Sequence, residues 1–366
     1  MFTHLHVHSC YSFLDGASTP RQLVQRAADL GMQALALTDH DSVAGAVEFY
    51  RCAREAGIKP IQGAEVTVAP LGEEGDQARP ARSFHLVLLA EGPAGYANLC
   101  RILSDAHLQN PRGQPLVTRS MLEGRTGGLI ALSGCRRGEV AWRLLRGDRC
   151  GAERAARALR GLFGPDRFYL ELQADRLPGQ RRLHRQMRDL AGHLGVGLAA
   201  SNNVHYHERD RFWLHDLLTC VRCGLTIDQV HPERRLNAEN DLKPAADMAA
   251  AFADLPEALR GTAAIAERCR PALDLDARLH PAFAVPPGMT AERYLRELAY
   301  RGAQERYGRL TGKIRRRLDH ELDIINRLGY ADYFLLVWDV VRFARSRGIR
   351  CAGRGSAADS AVAYCL

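Results

Sequence analysis

Short apolar runs alternate with helical stretches through the first 206 residues, and this alternation constrains the chain more than any other feature. The runs lie near residues 3–7, 34–38, 60–67, 84–90, 128–133, 168–172 and 196–200. Between them stand segments such as TPRQLVQRAADLG. There Thr19 precedes Pro20 at the first helical position, Leu23, Val24 and Ala27 recur on one face, and Gly31 ends the helix. Such alternation implies parallel strands joined by helical crossovers. Seven units in this length suit a closed or nearly closed α/β barrel, with a doubly wound sheet as the alternative. In a barrel, chemistry collects at the C-terminal ends of the strands.

The polar loop 72–83 reads as exposed, and residues 207–275 read as mainly helical. Pro281, Pro286 and Pro287 then mark a boundary. The chain is therefore expected to comprise one domain at 1–275, with the barrel at about 1–206 and a helical extension at 207–275, and a second domain at 276–366. No run of about 18 apolar residues occurs and no charged-then-apolar leader precedes the first strand, so a cytoplasmic protein without membrane contact is expected. The ten cysteines lack the spacing of a secreted disulfide scaffold and read as reduced thiols. A net charge of +8 fits a phosphate-bearing partner, although an arginine-rich composition gives the same figure without one.

Polar residues at the strand ends carry the chemical signal. His6 and His8 stand two apart, so a strand aims both imidazoles at one face, and Asp15 follows closely. The second strand ends in Asp39, His40 and Asp41. The third carries Glu65, His85 abuts the fourth, the fifth ends at Cys135, and the last ends with Asn203 and His205. A lone histidine beside a strand usually satisfies a hydrogen bond, and a lone cysteine usually fills a core. Six strand ends supplying such groups together point to a shared metal pocket. A mixed imidazole, carboxylate and thiol set favours Zn, Mn or Fe over Mg or Ca. More than four ligands imply more than one ion, an arrangement suited to phosphoester hydrolysis.

This arrangement resembles the polymerase and histidinol phosphatase (PHP) domain, a distorted seven-stranded (β/α)7 barrel with a trinuclear metal centre. The resemblance implies that two to three ions, Zn or Mn, are held by His6, His8, Asp15, His40, Glu65, His85, Cys135, Asn203 and His205. One position departs from the family pattern: Asn203 stands where the family has Asp, which removes a negative charge and is expected to weaken at least one metal. Asp39 reads either as a partner that orients a ligand or as a turn cap.

SFLDGAST, TDHDSVAGAVEFY, LGYADYFLLVWDVVRFARSRGI and GRGSAADSAVAYCL resemble the N-terminal part of the bacterial DNA polymerase III alpha subunit of the C family, closer to its error-prone branch than to its replicative one. The resemblance implies a PHP barrel, a mainly helical segment and the beginning of a polymerase palm. DNA, dNTP and other replisome or repair subunits are the implied partners, and Mg is expected only in a completed palm. In GRGS two glycines let the backbone approach a phosphate, Ser356 can donate a hydrogen bond, and the stretch beyond would present a helix N-terminus. By resemblance Gly355 and Ser356 would contact the triphosphate of an incoming nucleotide. The family's palm carboxylates lie beyond Leu366, so the chain by itself is not expected to polymerise.

The expected activity is metal-dependent 3′→5′ hydrolysis of DNA. The alternatives are a non-catalytic PHP domain that stabilises a polymerase and a small-molecule phosphatase of the histidinol phosphate type. Cys220 and Cys223 have zinc half-site spacing, but no second pair follows and a helical core position is the plainer reading. Lys313, Arg315, Arg316 and Arg317 read either as a DNA-backbone track or as a solvated helix face. Trp338 reads as core.

Overall fold

A computed structural model describes residues 2–72, 82–277 and 281–366, with the Ser356 side chain left out. Most of the loop expected at 72–83 lies outside the described residues. The chain divides into two compact units, Met1–Leu273 and Asp274–Leu366.

In the first unit β1 (Ala34–Leu37), β2 (Lys59–Val68), β3 (Phe84–Ala90), β4 (Leu129–Leu132), β5 (Phe168–Gln173) and β6 (Gly197–Ser201) pair in sequential order. All four residues of β1 and of β4 are buried, as continuous apolar runs predict for strands covered on both faces. The helix Pro20–Asp29 starts as the sequence implies, with a capping box between Thr19 and Gln22 and Pro20 in its first turn.

Two expectations need correction. Residues 3–7 form no ladder strand, so the sheet has six strands instead of seven. The Val7 amide donates to Thr38 Oγ1 at 2.9 Å, a side chain standing where a neighbouring strand's carbonyl would stand. The segment is still held on both sides. Ala36 N donates to His4 O and Thr38 N to Val7 O, while His8 N donates to Val204 O and Val204 N to His6 O. It thus links β1 to the chain just past β6, and the sheet curls around it.

Nor are the strands all parallel. β1–β2, β4–β5 and β5–β6 are parallel, whereas β3 is antiparallel to both β2 and β4. An antiparallel neighbour such as β3 needs no crossover, and none of the described residues between β2 and β3 is helical. Between β3 and β4 the chain passes back beside β2, where Val117 bridges Val68.

This polarity decides what the inner face carries. Along it Leu5, Ala36, Ile61, Val87, Leu89, Ile130, Leu132 and Ala199 form an apolar plug with Ile265 and Cys269. Ile265 belongs to the helix Pro256–Arg268, and a Cβ on that helix's Gly261 would lie 1.9 Å from Leu198 O, so the helix sits directly on β6. Toward the other end the same face turns polar. Ile61 is followed two and four residues on by Gly63 and Glu65, and Ala199 by Ser201. Because β3 runs the other way, its first residues reach that end, and His85 pairs with Thr67 two residues past Glu65.

The second unit is helical. Ala291–Tyr307, Gly312–Arg327 and Ala331–Ser346 bury Leu295, Leu298, Leu318, Leu322 and Leu335 against one another. Trp338, expected in the core, is only partly buried at its edge, because one face of its helix, with Val337, Val340 and Phe343, stays exposed.

Candidate metal centre

Glu65 is the hub of the polar end. It is 1% exposed, and its carboxylate lies 3.3 Å from His6 Nε2, 3.5 Å from His8 Nε2, 3.2 Å from His40 Nδ1 and 3.0 Å from His85 Nδ1. Burial opposes its charge, but His85, His6 and His40 outweigh that penalty and hold Glu65 well below the usual carboxylate range. Asp15 forms a second centre, with Oδ2 3.1 Å from His40 Nε2 and 3.0 Å from His205 Nε2.

Three of these histidines have one ring nitrogen tied down from behind. His6 Nδ1 lies 2.7 Å from the Glu171 carboxylate, an acceptor only, so it donates there. His205 Nδ1 donates to Asn203 O at 2.8 Å. Ser12 gives its hydroxyl proton to Asp39 at 2.7 Å and so accepts from His8 Nδ1 at 3.0 Å. In every case the neutral ring turns a bare Nε2 toward the shared pocket, as partners behind metal-bound histidines do.

The consequence is a place that calls for a cation. His6 Nε2 and His8 Nε2 face each other at 3.1 Å. Burial disfavours a charged His6, but Glu171 and Glu65 more than compensate and raise its pKa well above the ordinary value, so the surroundings favour positive charge there. Glu65 Oε1 and Asn203 Oδ1 are buried without a hydrogen-bond partner. Ligand atoms fall into three groups within 4.8 Å: His6, His8 and Glu65; His40, Glu65 and His85; and His8, His40 and His205. The mixed imidazole and carboxylate donor set therefore fits divalent metal ions.

Of the residues expected at the site, the structure brings His6, His8, Asp15, His40, Glu65, His85 and His205 into direct contact with one another. Cys135 Sγ lies 3.6 Å from His85 Nδ1. Burial, followed by the nearby Glu65, pushes the Cys135 thiol up to about 12. Asn203 joins the wall of the same cavity, with left-handed backbone at φ 46.

Asp39 and Asp41 do not face the pocket with free oxygens. Asp39 accepts from Ser9 N, Ser9 Oγ and Ser12 Oγ, and Asp41 accepts from Thr67 N and Thr67 Oγ1. Cys220 and Cys223 lie on the helix Phe212–Cys223 and belong to none of the ligand groups among the described residues.

Sequence reasoning passed over two features. Glu171, central in FYLELQ, is buried against His6, Gln173 and Ser201, and an acid inside an otherwise apolar strand is the signal that marks it. The second feature is arginine. A cavity of about 440 Å³ over the histidines is rimmed by Arg82, Arg136, Arg137, Arg222, Arg234 and Arg235. They come from the helix Phe212–Cys223 and from loops far apart in the chain, at most two in succession, so no single local run announces them.

In the second unit Gly355 has φ 67 in the turn Gly355–Asp359, while the Ser356 side chain lies outside the described residues. The helix N-terminus expected beyond GRGS is taken. The short helix Ala361–Cys365 is capped by Ser360, and Glu321 accepts from both Ser360 Oγ at 2.9 Å and Val362 N at 3.0 Å. Gly353 and Arg354 instead line a cavity of about 630 Å³ with Phe334, Trp338 and Tyr364. On Gly312–Arg327, Arg317 is paired with Glu321 at 2.5 Å.

Residues 4–175 match the PHP domain family, and residues 293–366 match the bacterial DNA polymerase III alpha NTPase domain. An error-prone DNA polymerase of Symbiobacterium thermophilum is 58% identical over 100% of this chain and 34% of that protein. The chain belongs to the bacterial DNA polymerase III alpha family. The DNA polymerase III subunit alpha of Treponema pallidum is 38% identical over 100% of this chain and 32% of its own length. The chain thus spans about one third of the length of these relatives. Among solved structures, an amidohydrolase from Chromobacterium violaceum shares 18% identity over 56% of this chain and 88% of its own, at a TM-score of 0.34. No helix among the described residues is long and apolar enough to cross a membrane.

Proposed function

We propose that the first unit is a metal-dependent phosphoesterase that removes 3′-terminal nucleotides from DNA. It would serve as the PHP domain of an error-prone, damage-tolerant DNA polymerase that acts in replication and repair. The observation that carries this is Glu65, one buried carboxylate ringed by four imidazoles at the floor of an arginine-rimmed cavity. Zn or Mn would be held by His6, His8, His40, Glu65 and His85, with Asp15, Cys135, Asn203 and His205 completing the wall. Such ions supply charge that neutralises phosphate oxygens and lowers the pKa of a water.

The chain's own residues do the rest. Glu171, Ser12 and the Asn203 carbonyl fix the ring orientation of His6, His8 and His205. The rim arginines suit a phosphodiester backbone, since guanidinium groups bind phosphate in bidentate fashion. In the second unit Gly355, with Ser356, would meet the phosphates of a dNTP, and a completed palm would use Mg. DNA and other replisome or repair-polymerase subunits would be the partners.

A second reading has one observation in its favour. Asn203 supplies a neutral amide, and a centre weakened there would leave the domain as a stabilising scaffold.

A 5′-labelled primer incubated with purified protein and Zn or Mn separates the two readings. Stepwise 3′ shortening that is lost in His8→Ala is the expected result. Inert wild-type protein beside an active Asn203→Asp protein would favour the scaffold. No cleavage and no bound metal in any of the three would overturn the catalytic reading.

A further inference from the structure

The two carboxylate centres differ in what balances them. The ion-pair partners of Glu65 among the described residues are all imidazoles. Asp15, by contrast, has Arg222 Nη1 at 3.5 Å from Oδ1, and its partner His205 has Arg235 Nη2 at 3.0 Å from Nε2. The His205 proton is committed to Asn203 O, so Nε2 is a lone pair and Arg235 donates to it. A guanidinium therefore already sits on the ring nitrogen that a metal would need.

Arg235 is placed there by design of its loop. Its neighbour Arg234 is locked by both oxygens of Asp216, at 2.8 and 2.5 Å, and by the carbonyls of Ile227 and Gln229. Arg235 itself has no carboxylate partner among the described residues, so its charge remains directed at the pocket. Asn203 is 2% exposed with an unpartnered Oδ1, and it adds no negative charge against two guanidinium groups. Arg222 shares its charge between Asp15 and Glu233, whose Oε2 lies 3.7 Å from Nη2, but Arg235 is unshared. A guanidinium on His205 Nε2 makes this half a poor site for a further divalent ion, because like charges repel at short range in a partly dry pocket.

We propose that Arg235 takes the place of a third ion, so that the centre binds two divalent ions in the Glu65 half and keeps the Asp15–His205 half for a guanidinium. This rests on the metal-centre reading above, yet the two fail differently. The test is a count of ions in chelator-stripped chain reloaded with Mn(II), freed of excess metal and measured by elemental analysis, with circular dichroism checking the fold. Wild-type protein and Arg235→Lys should hold two ions per chain, and the double variant Asn203→Asp with Arg235→Gln should hold three. Three ions in wild-type protein, or two in a folded double variant, would overturn the inference while leaving the metal centre intact. No ion in wild-type protein would overturn both. Should the double variant fail to fold, calorimetric Mn(II) titrations of Arg235→Gln and Arg235→Lys decide. An additional weak site in the glutamine variant alone supports the inference, and identical isotherms overturn it.

Discussion

The two units of this chain put their polar residues to opposite uses. In Met1–Leu273 the groups with chemical potential are among the most deeply buried: His6, His8, Glu65 and His205 are each 1% exposed or less. In Asp274–Leu366 the core is apolar and the motif residues Gly353, Arg354 and Gly355 lie at the surface. Burying polar groups is costly unless each finds a partner. The first unit meets that cost only partly with protein atoms, since Glu65 Oε1 and Asn203 Oδ1 remain without hydrogen bonds. The contrast teaches that one unit is organised around a buried polar cluster that protein atoms satisfy only in part, whereas the other rests on apolar packing with its motif open to solvent.

The largest test of this contrast is Glu65→Gln. Four imidazoles lose the charge they share, so metal content should collapse and any hydrolysis should fall by more than about 100-fold. Elemental analysis beside the primer assay checks it, and retention of full metal content would break the comparison. Glu171→Gln is the next step down. The amide keeps a hydrogen bond to His6 Nδ1 but removes the charge behind it, so metal affinity should drop by about 10-fold, read by competition with a chromophoric chelator.

Acid should separate the units as well. Burial lowers the pKa of His4 to about 4, and burial likewise depresses His184 from its ordinary value. The unfolded chain takes up these protons first, so their contribution is present above about pH 6.5 and is lost as the pH falls toward the folded values. Melting curves of metal-free protein should shift to lower temperature from pH 6.5 to 4, and His184→Gln should flatten part of that slope. The second unit has no buried histidine among its described residues, so Trp338 fluorescence should show little of this dependence.

Smaller effects belong to packing. A Cβ at Gly302 would stand 1.7 Å from Cys365 O, whereas one at Gly355 meets nothing within 4 Å but inherits a φ of 67. Gly302→Ala should destabilise the second unit by about 1–3 kcal/mol, and Gly355→Ala by about 1 kcal/mol. Denaturant melts check both, and neither variant should change the metal content of the first unit.

Much of the candidate site was legible because polar residues at strand ends follow simple spacing. His6 and His8 lie two apart, and Glu65 lies four residues after Ile61 on the same inward face of β2. What sequence could not show depends on elements meeting in space. Strand and helix alternation implied parallel pairing throughout, but the connection between β2 and β3 has no helix among its described residues, and β3 runs antiparallel. That reversal carries His85 to the ligand end instead of the plugged one. Residues 3–7 read as a strand because their apolar pattern is right, yet a Thr38 hydroxyl takes the place of a ladder acceptor.

By itself, then, the sequence determined which groups would face inward and what cation chemistry they favour, since side-chain alternation and donor type are local properties. The tertiary structure alone decided which of those groups share an ion, that Asp39 and Asp41 are consumed by hydrogen bonds, and that Arg235 rests on His205. The physical reason is range. A strand fixes the direction of its own side chains, but electrostatic balance in a buried pocket is set by charges from loops that only folding brings within a few ångströms.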